Sequence, residues 1–382
     1  MDTNYHNFED MKLKENLLRG IFSYGFTKPS EIQEKAIPII LSGSDLIAQS
    51  QSGTGKTGAF TISMLNIIDE KVEGCQGMIL TPTKELAIQI YDVCKSIGQY
   101  LTGVNPVLCV GGEDIRESAA KVNTGSVIII GTPGRIIDMA DRKIIKLGWM
   151  KLLILDEADE LLKSNFSDQV RKIITNINEN TQICIFSATF PDSVLELTKH
   201  FMNNPQELLI KTSNITLDGI KQFYIDVGYD NHKFETFCDI YSMISVSQSI
   251  VYVNSKARAD ELKRWLEDKN FTVSVIHGRM FSYERNNIMR EFRNGKTRIL
   301  ISTDLLSRGI DIQQVSVVIN YELPLSQNKD VYIHRIGRSG RYGRKGVAIN
   351  LVSRKDMYKI RELEKYYTTI IEPMPENLDK YL

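Results

Sequence analysis

The chain has no excess of charge. Its 47 Lys and Arg are matched by 47 Asp and Glu over 382 residues, a formal net charge of +0. That excludes nucleic-acid binding by global attraction, so any such binding has to come from a local cationic surface. Paired cysteines are missing too. Cys75, Cys94, Cys109, Cys184 and Cys238 are widely spaced, odd in number and form no C-x-x-C pair. Buried reduced thiols are expected instead of a disulfide framework. No apolar run approaches the ~18 residues that span a bilayer. The polar, acidic start "MDTNYHNFED" is no signal peptide, and low-complexity segments are absent. A soluble intracellular protein is expected, with no membrane partner.

What is there is a length that suggests two domains at ~100–200 residues each. Hydrophobic residues make up 42% of the chain, enough for a core in each. In the first half, continuously apolar runs at 45–49, 78–81, 107–110, 127–130, 152–155 and 183–186 predict strands buried on both faces of a parallel sheet. Amphipathic segments lie between them, such as 56–70 with Phe60, Met64 and Ile68 in step. The second half repeats the plan with runs at 250–253, 273–276, 298–302, 317–320 and 347–352 and a helix over 257–269. This alternation predicts an α/β fold with helices on both sheet faces. The polar stretch "KTSNITLDG" at 211–219 reads as a linker between domains at 1–210 and 220–382.

Chemistry enters at the strand ends. "AQSQSGTGKT" (48–57) follows a strand and opens a helix, the context of a phosphate-binding loop. Ser52, Gly53, Thr54, Gly55, Lys56, Thr57 and Gly58 are therefore nucleotide-binding candidates. The glycines let successive N–H groups and the helix N-terminus face a phosphate. Lys56 supplies charge, and the Thr57 hydroxyl can ligand Mg²⁺. The strict pattern has Gly where this chain has Ser50. "LLILDEAD" (152–159) supplies carboxylates at the carboxyl end of a central strand. Asp156 is the expected metal holder and Glu157 the group that orients and deprotonates an attacking water.

The other strand ends close in small polar motifs: "TPTKELA" (81–87), "GG" (111–112), "GTPGR" (131–135) and "SAT" (187–189). Their recurrence on one edge predicts a second polyanion, bound through phosphate-facing contacts that do not read base sequence. The residues in question are Pro82, Thr83, Lys84, Gly112, Thr132, Gly134 and Arg135.

Taken with "STDLLSRGID" (302–311) and "HRIGRSGR" (334–341), these motifs resemble the DEAD-box ATP-dependent RNA helicases, in family order from about residue 8 to 346. The stretches 17–37, 47–57 and 216–224 are similar to the translation initiation factor 4A group, and Ser50 to its nuclear, exon-junction-complex member. The resemblance implies two tandem RecA-like domains, ATP and Mg²⁺ as cofactors, and RNA as substrate. It implies that Phe26 stacks on the base, that Gln33 pairs with the adenine edge, and that Lys28 lies beside them. An amide can meet adenine N6 and N7 together. Ser187, Thr189 and Asp159 would couple hydrolysis to RNA opening, with His334 in an interdomain network. Asp311 would meet the ribose, Thr303 and Arg285 would face RNA, and Phe8 matches the family's upstream aromatic.

The second half has no phosphate loop and no acidic strand end, so one ATP site is expected. Within "HRIGRSGRYGRKG" (334–346), Arg338 and Arg341 read as fingers on that site, Arg335 as a support for interdomain or RNA contacts, and Arg344 and Lys345 as a solvated turn. Three departures from the family pattern fall on the RNA side: Lys84 for Arg, Arg279 for Asp and Ser282 for Gln. Lys84 keeps charge but loses bidentate geometry. Two roles follow: a monomeric RNA helicase in translation initiation, or an ATP-gated RNA clamp in nuclear RNA processing or ribosome biogenesis. With no basic tail in the chain, a helical-repeat scaffold of the initiation factor 4G type is the expected protein partner. The expected location is cytoplasmic, with the nucleus or nucleolus as the alternative.

Overall fold

The computed structural model describes residues 5–50, 53–112, 114–122, 124, 126–209, 220–244, 248–304, 315–326, 329–339 and 346–381. Ser52, Asp311, Arg341, Arg344, Lys345 and the stretch 211–219 lie outside the described residues. The chain divides into two compact units, Met1–Ile210 and Lys211–Leu382.

Each unit is built on one seven-stranded sheet. In the first unit the strands are β1 (Leu46–Gln49), β2 (Gly74–Leu80), β3 (Val104–Cys109), β4 (Ser126–Gly131), β5 (Leu152–Asp156), β6 (Gln182–Ser187) and β7 (Gln206–Leu209). They lie in the order β3-β4-β2-β5-β6-β1-β7, and every pairing is parallel. Parallel strands buried on both faces need apolar side chains at every position, and the two faces show it. Leu46, Ile79, Ile128, Leu152, Ile154 and Phe186 enter one apolar cluster. Their neighbours Ile47, Met78, Ile129, Leu153 and Ile185 enter another.

The second unit contains β8 (Ile220–Gly228), β9 (Ser249–Tyr252), β10 (Val273–Ile276), β11 (Ile299–Ser302), β12 (Val317–Asn320), β13 (Gly346–Ser353) and β14 (Glu372–Pro373). Their order is β10-β11-β9-β12-β13-β8-β14, again parallel throughout. Both units are RecA-like α/β layers.

Three strands, β7, β8 and β14, do not stand out in the sequence as apolar runs. Strand β8, "IKQFYIDVG", mixes buried and partly exposed positions; β7 and β14 sit at sheet margins. The helix expected over 56–70 runs Lys56–Ile67. It is buried nearly all round, from Gly58 to Leu65, so it is a central helix and not an amphipathic one. Cys75, Cys94, Cys109 and Cys184 are buried free thiols, and Cys238 is half-buried. Burial pushes the Cys75 and Cys94 thiols up to about 12. Among the described residues, no helix is long and apolar enough to cross a membrane.

Candidate functional site

Because the first sheet is fully parallel, every strand delivers its following loop to one edge, where open α/β sheets place ligands. The strand order sorts these loops into two contiguous groups. Strands β5, β6 and β1 are neighbours, and they carry "DEAD", "SAT" and the glycine loop. Strands β3, β4 and β2 are neighbours on the other side, and they carry "GG", "TPGR" and "TPTK".

In the first group, Gly53 and Gly55 take positive φ, 84° and 105°, a conformation that costs glycine little. They turn the loop so that the helix Lys56–Ile67 starts at its end. Ser50, the departure from the strict pattern, is buried. Its Oγ lies 2.6 Å from Thr54 Oγ1, its N–H donates to the Ser187 carbonyl at 3.0 Å, and its own carbonyl accepts from Lys56 Nζ. Ser50 therefore ties the loop to β6 and seats the lysine. Lys56 is buried, and Thr57 follows it in the first helical turn.

The adenine candidates meet this loop directly. Gln33 is buried; its Oε1 accepts from Ser30 N–H at 2.9 Å and its Nε2 donates to the Gly55 carbonyl at 3.2 Å. A Cβ on Gly58 would lie 2.4 Å from Gln33 Nε2 and 3.0 Å from the Phe26 ring. Glycine is required there because the Gln33 and Phe26 side chains press against the helix that follows the glycine loop. The Phe26 ring stacks on Phe8 at 6.3 Å and meets Tyr24 edge-on at 5.0 Å. Phe8 is fully buried and backs the Phe26 ring. Lys28 is exposed.

Asp156 and Glu157 are both buried at the end of β5. The Asp156 carboxyl is pushed up to about 7 by burial and by Glu157 and Asp159, against the pull of Lys56 and the Glu157 N–H. That N–H donates to Asp156 Oδ1 at 3.0 Å. Glu157 has φ +54° and ψ +50°, a left-handed conformation that costs a non-glycine residue about 1–3 kcal/mol and clusters at functional sites. Asp159 has no accessible surface; it accepts from Ser187 Oγ at 2.7 Å and from Thr189 Oγ1 at 3.2 Å. The third carboxylate thus joins the end of β5 to the end of β6. The donor set suits a divalent cation with a polyphosphate. Asp156, Glu157 and Asp159 lie buried together after β5, the Lys56 ammonium acts on Asp156, and Thr57 brings a hydroxyl to the helix start.

In the second group, Thr83 caps the helix Lys84–Ile97 by accepting from Leu86 N–H. Thr81 Oγ1 donates to the Thr83 carbonyl at 2.9 Å. Pro82 is buried, Thr83, Lys84, Thr132 and Arg135 are partly exposed, and Gly112 and Gly134 are exposed. Gly112 has φ +86°. A Cβ on Gly131 would fall 2.0 Å from the Cys109 carbonyl, so β3 and β4 close up immediately before the "TPGR" turn. The structure brings these residues to one strip of the edge.

In the second unit, Thr303 follows β11 directly, and Arg285 lies half-buried on the helix Ser282–Arg293. His334 and Arg338 are buried, at and just past the end of the helix Lys329–Ile336. Arg338 Nε donates to the His334 carbonyl at 3.2 Å. Arg335 requires a correction. It is fully buried, and its guanidinium serves its own unit, not interdomain or RNA contacts. It donates to Asp304 at 2.7 Å, the Glu322 carbonyl at 2.7 Å, Asn254 at 2.8 Å and Asn320 at 3.3 Å, and it lies 5.2 Å from the Tyr252 ring. A helix-face arginine surrounded by strand ends directs its donors to local partners. Composition cannot reveal which face of the helix it occupies.

Comparison with known proteins agrees with this geometry. The family pattern for DEAD/DEAH box helicase matches residues 30–197, and that for helicase conserved C-terminal domain matches residues 232–343. The chain is 49% identical to the ATP-dependent RNA helicase eIF4A of Kluyveromyces lactis, over 99% of this chain and 95% of that protein. It is 48% identical to Drosophila melanogaster eukaryotic initiation factor 4A, over 98% and 92%. Among solved structures, S. cerevisiae Dbp5 bound to RNA and ADP BeF3 superposes with a TM-score of 0.91 at 36% identity, covering 98% of this chain and 97% of that one. The chain belongs to the DEAD-box family of ATP-dependent RNA helicases, with eIF4A proteins among its relatives.

Proposed function

We propose that this chain couples ATP binding and hydrolysis to local opening of RNA duplexes during translation initiation. One observation carries the reading. The sheet edge of the first unit is divided into a phosphate-and-carboxylate group and a hydroxyl-and-glycine group, which meet where β5 adjoins β2.

In this reading Phe26 and Gln33, with Lys28 beside them, hold adenine, and Asp311 holds the ribose. The loop residues Ser52 to Gly58 hold the phosphates. Thr57 and Asp156 would hold Mg²⁺, which when bound neutralises phosphate charge and orients the transferring group. Glu157 accepts a proton from the attacking water as its oxygen bonds to the γ-phosphorus and the bond to ADP breaks. Lys56, Arg338 and Arg341 stabilise the developing phosphoryl charge, and an arginine in that role is worth about 10³–10⁵ in rate. Pro82, Thr83, Lys84, Gly112, Thr132, Gly134 and Arg135, with Arg285 and Thr303, hold the RNA backbone without reading sequence. Ser187, Thr189 and Asp159 form the bridge through which a change at the phosphates reaches the RNA strip, and His334 belongs to the same coupling network.

The names of the relatives favour translation over nuclear processing. A cytoplasmic monomer working with a helical-repeat scaffold of the initiation factor 4G type completes the reading. The test is duplex unwinding beside ATPase for Ser187→Ala/Thr189→Ala. RNA-stimulated ATP turnover is expected to persist within a few-fold while strand separation falls at least about tenfold. Equal loss of both, or of neither, would contradict the coupling role.

A further inference from the structure

Beside the expected RNA contacts of the second unit lies a feature those roles do not use. Phe281 and Tyr283 are 70% and 64% exposed, and their rings stack at a centroid distance of 6.0 Å with planes 13° apart. Two nearly parallel aromatic rings this open to solvent leave most of their apolar area in water, which costs hydrophobic free energy. Their backbone is not loose. Phe281 N–H donates to Glu284 Oε2 at 2.8 Å, Arg285 N–H donates to the Phe281 carbonyl at 3.1 Å, and Met280 N–H to the His277 carbonyl at 3.2 Å. These bonds hold the backbone of the turn that carries the pair and starts the helix Ser282–Arg293.

Its place in the sheet is informative. The turn follows β10, and Ile276 at the end of β10 is in register with Ser302 at the end of β11. Thr303 is the next residue, so the aromatic pair and Thr303 leave the same sheet edge from adjacent strands. The charge around it is one-sided in a chain that is otherwise neutral. From Arg279 to Lys296 there are five basic residues (Arg279, Arg285, Arg290, Arg293, Lys296) against Glu284 and Glu291. Arg279 and Arg290 are exposed. Aromatics interleaved with arginines are the arrangement that binds unpaired nucleobases by stacking while cations follow the backbone.

We propose that Phe281 and Tyr283 form a stacking platform for one unpaired base of the bound RNA. This rests on the placement of RNA along Thr303 and Arg285 in the proposed function. The platform adds a contact to a base where the rest of the strip holds backbone. It favours single-stranded over duplex RNA, because a paired base cannot leave its stack without an unpairing cost.

The test is equilibrium binding of a labelled single-stranded RNA to the full chain with a non-hydrolysable ATP analogue. Phe281→Ala/Tyr283→Ala is expected to bind about 10- to 100-fold more weakly, and the ring-keeping swap Phe281→Tyr/Tyr283→Phe to bind as wild type. An abasic site walked along the oligonucleotide should reach one position where wild type and the alanine variant bind equally. The salt slope, which counts phosphate contacts, should match between the two. Circular dichroism melting confirms that the exposed substitutions leave the fold intact. Affinity within about twofold of wild type overturns the platform and leaves the pair to a protein partner. Equal weakening at every abasic position overturns it as well, in favour of a backbone contact. Failure of the wild-type chain itself to bind RNA would overturn the proposed function.

Discussion

Asp156 is buried at the end of β5 beside two further carboxyls. Its carboxyl is raised from 3.8 to about 7, by burial first and by Glu157 second. The folded protein therefore keeps a proton that the unfolded chain releases near pH 4. Stability of the nucleotide-free protein should fall as pH rises from about 4 to about 7, because the folded state binds more protons across that window. Asp156→Asn removes the titration. In thermal melts at pH 4.5 to 8, the midpoint of wild type should drop relative to the variant as pH rises, and parallel profiles would show that Asp156 titrates normally. Gly58 makes a second point at this scale. Its absent Cβ leaves room for Gln33 and Phe26, so Gly58→Ala should displace both. ATP affinity is expected to weaken about tenfold, roughly 1.4 kcal/mol, with a smaller loss for a nucleotide lacking adenine. Isothermal titration with ATP and GTP compares the two. Both sites were legible in the sequence because short-range motifs dictate their backbones: a glycine pair before Lys-Thr, and carboxyls after an apolar strand. The left-handed Glu157 and the bond from Gln33 to the Gly55 carbonyl were not, since they depend on packing between segments.

Among the elements, the strand ends of the second unit are held by Arg335. One guanidinium gathers groups from the ends of β9, β11 and β12. Removing a buried charge from such a network leaves its partners uncompensated and costs about 3–5 kcal/mol. Arg335→Ala should destabilise the second unit by about that amount in urea denaturation. Arg335→Lys should recover little, because an ammonium cannot reproduce the planar fork. An Arg335→Ala variant with wild-type stability would contradict the clamp. In the sequence Arg335 reads as a support for interdomain or RNA contacts, because charge is visible in a sequence and burial is not. The missed strands have a related cause. β1, β5 and β6 announce themselves because both faces are buried. β8 mixes buried, partly exposed and exposed positions, and β7 spans four residues at the margin, so neither forms a continuous apolar run.

Across the whole molecule, the sequence carries one phosphate-loop motif, after β1, so one site for ATP chemistry is expected. The division of the first sheet edge places that site next to the strip of Thr83, Gly112, Thr132 and Arg135. Hydrogen bonds from Ser187 and Thr189 to Asp159 join the hydroxyls after β6 to the carboxylate after β5. If ATP and RNA share one bistable arrangement through that bridge, each must raise the affinity of the other by the same factor, since the linkage is reciprocal. The direct measurement is the dissociation constant of a non-hydrolysable ATP analogue with and without saturating single-stranded RNA, paired with that of RNA with and without the analogue. Coupling predicts equal factors of about 5- to 150-fold in both directions. A factor of one in both directions would mean that the two halves of the sheet edge act independently, contradicting an ATP-driven RNA helicase.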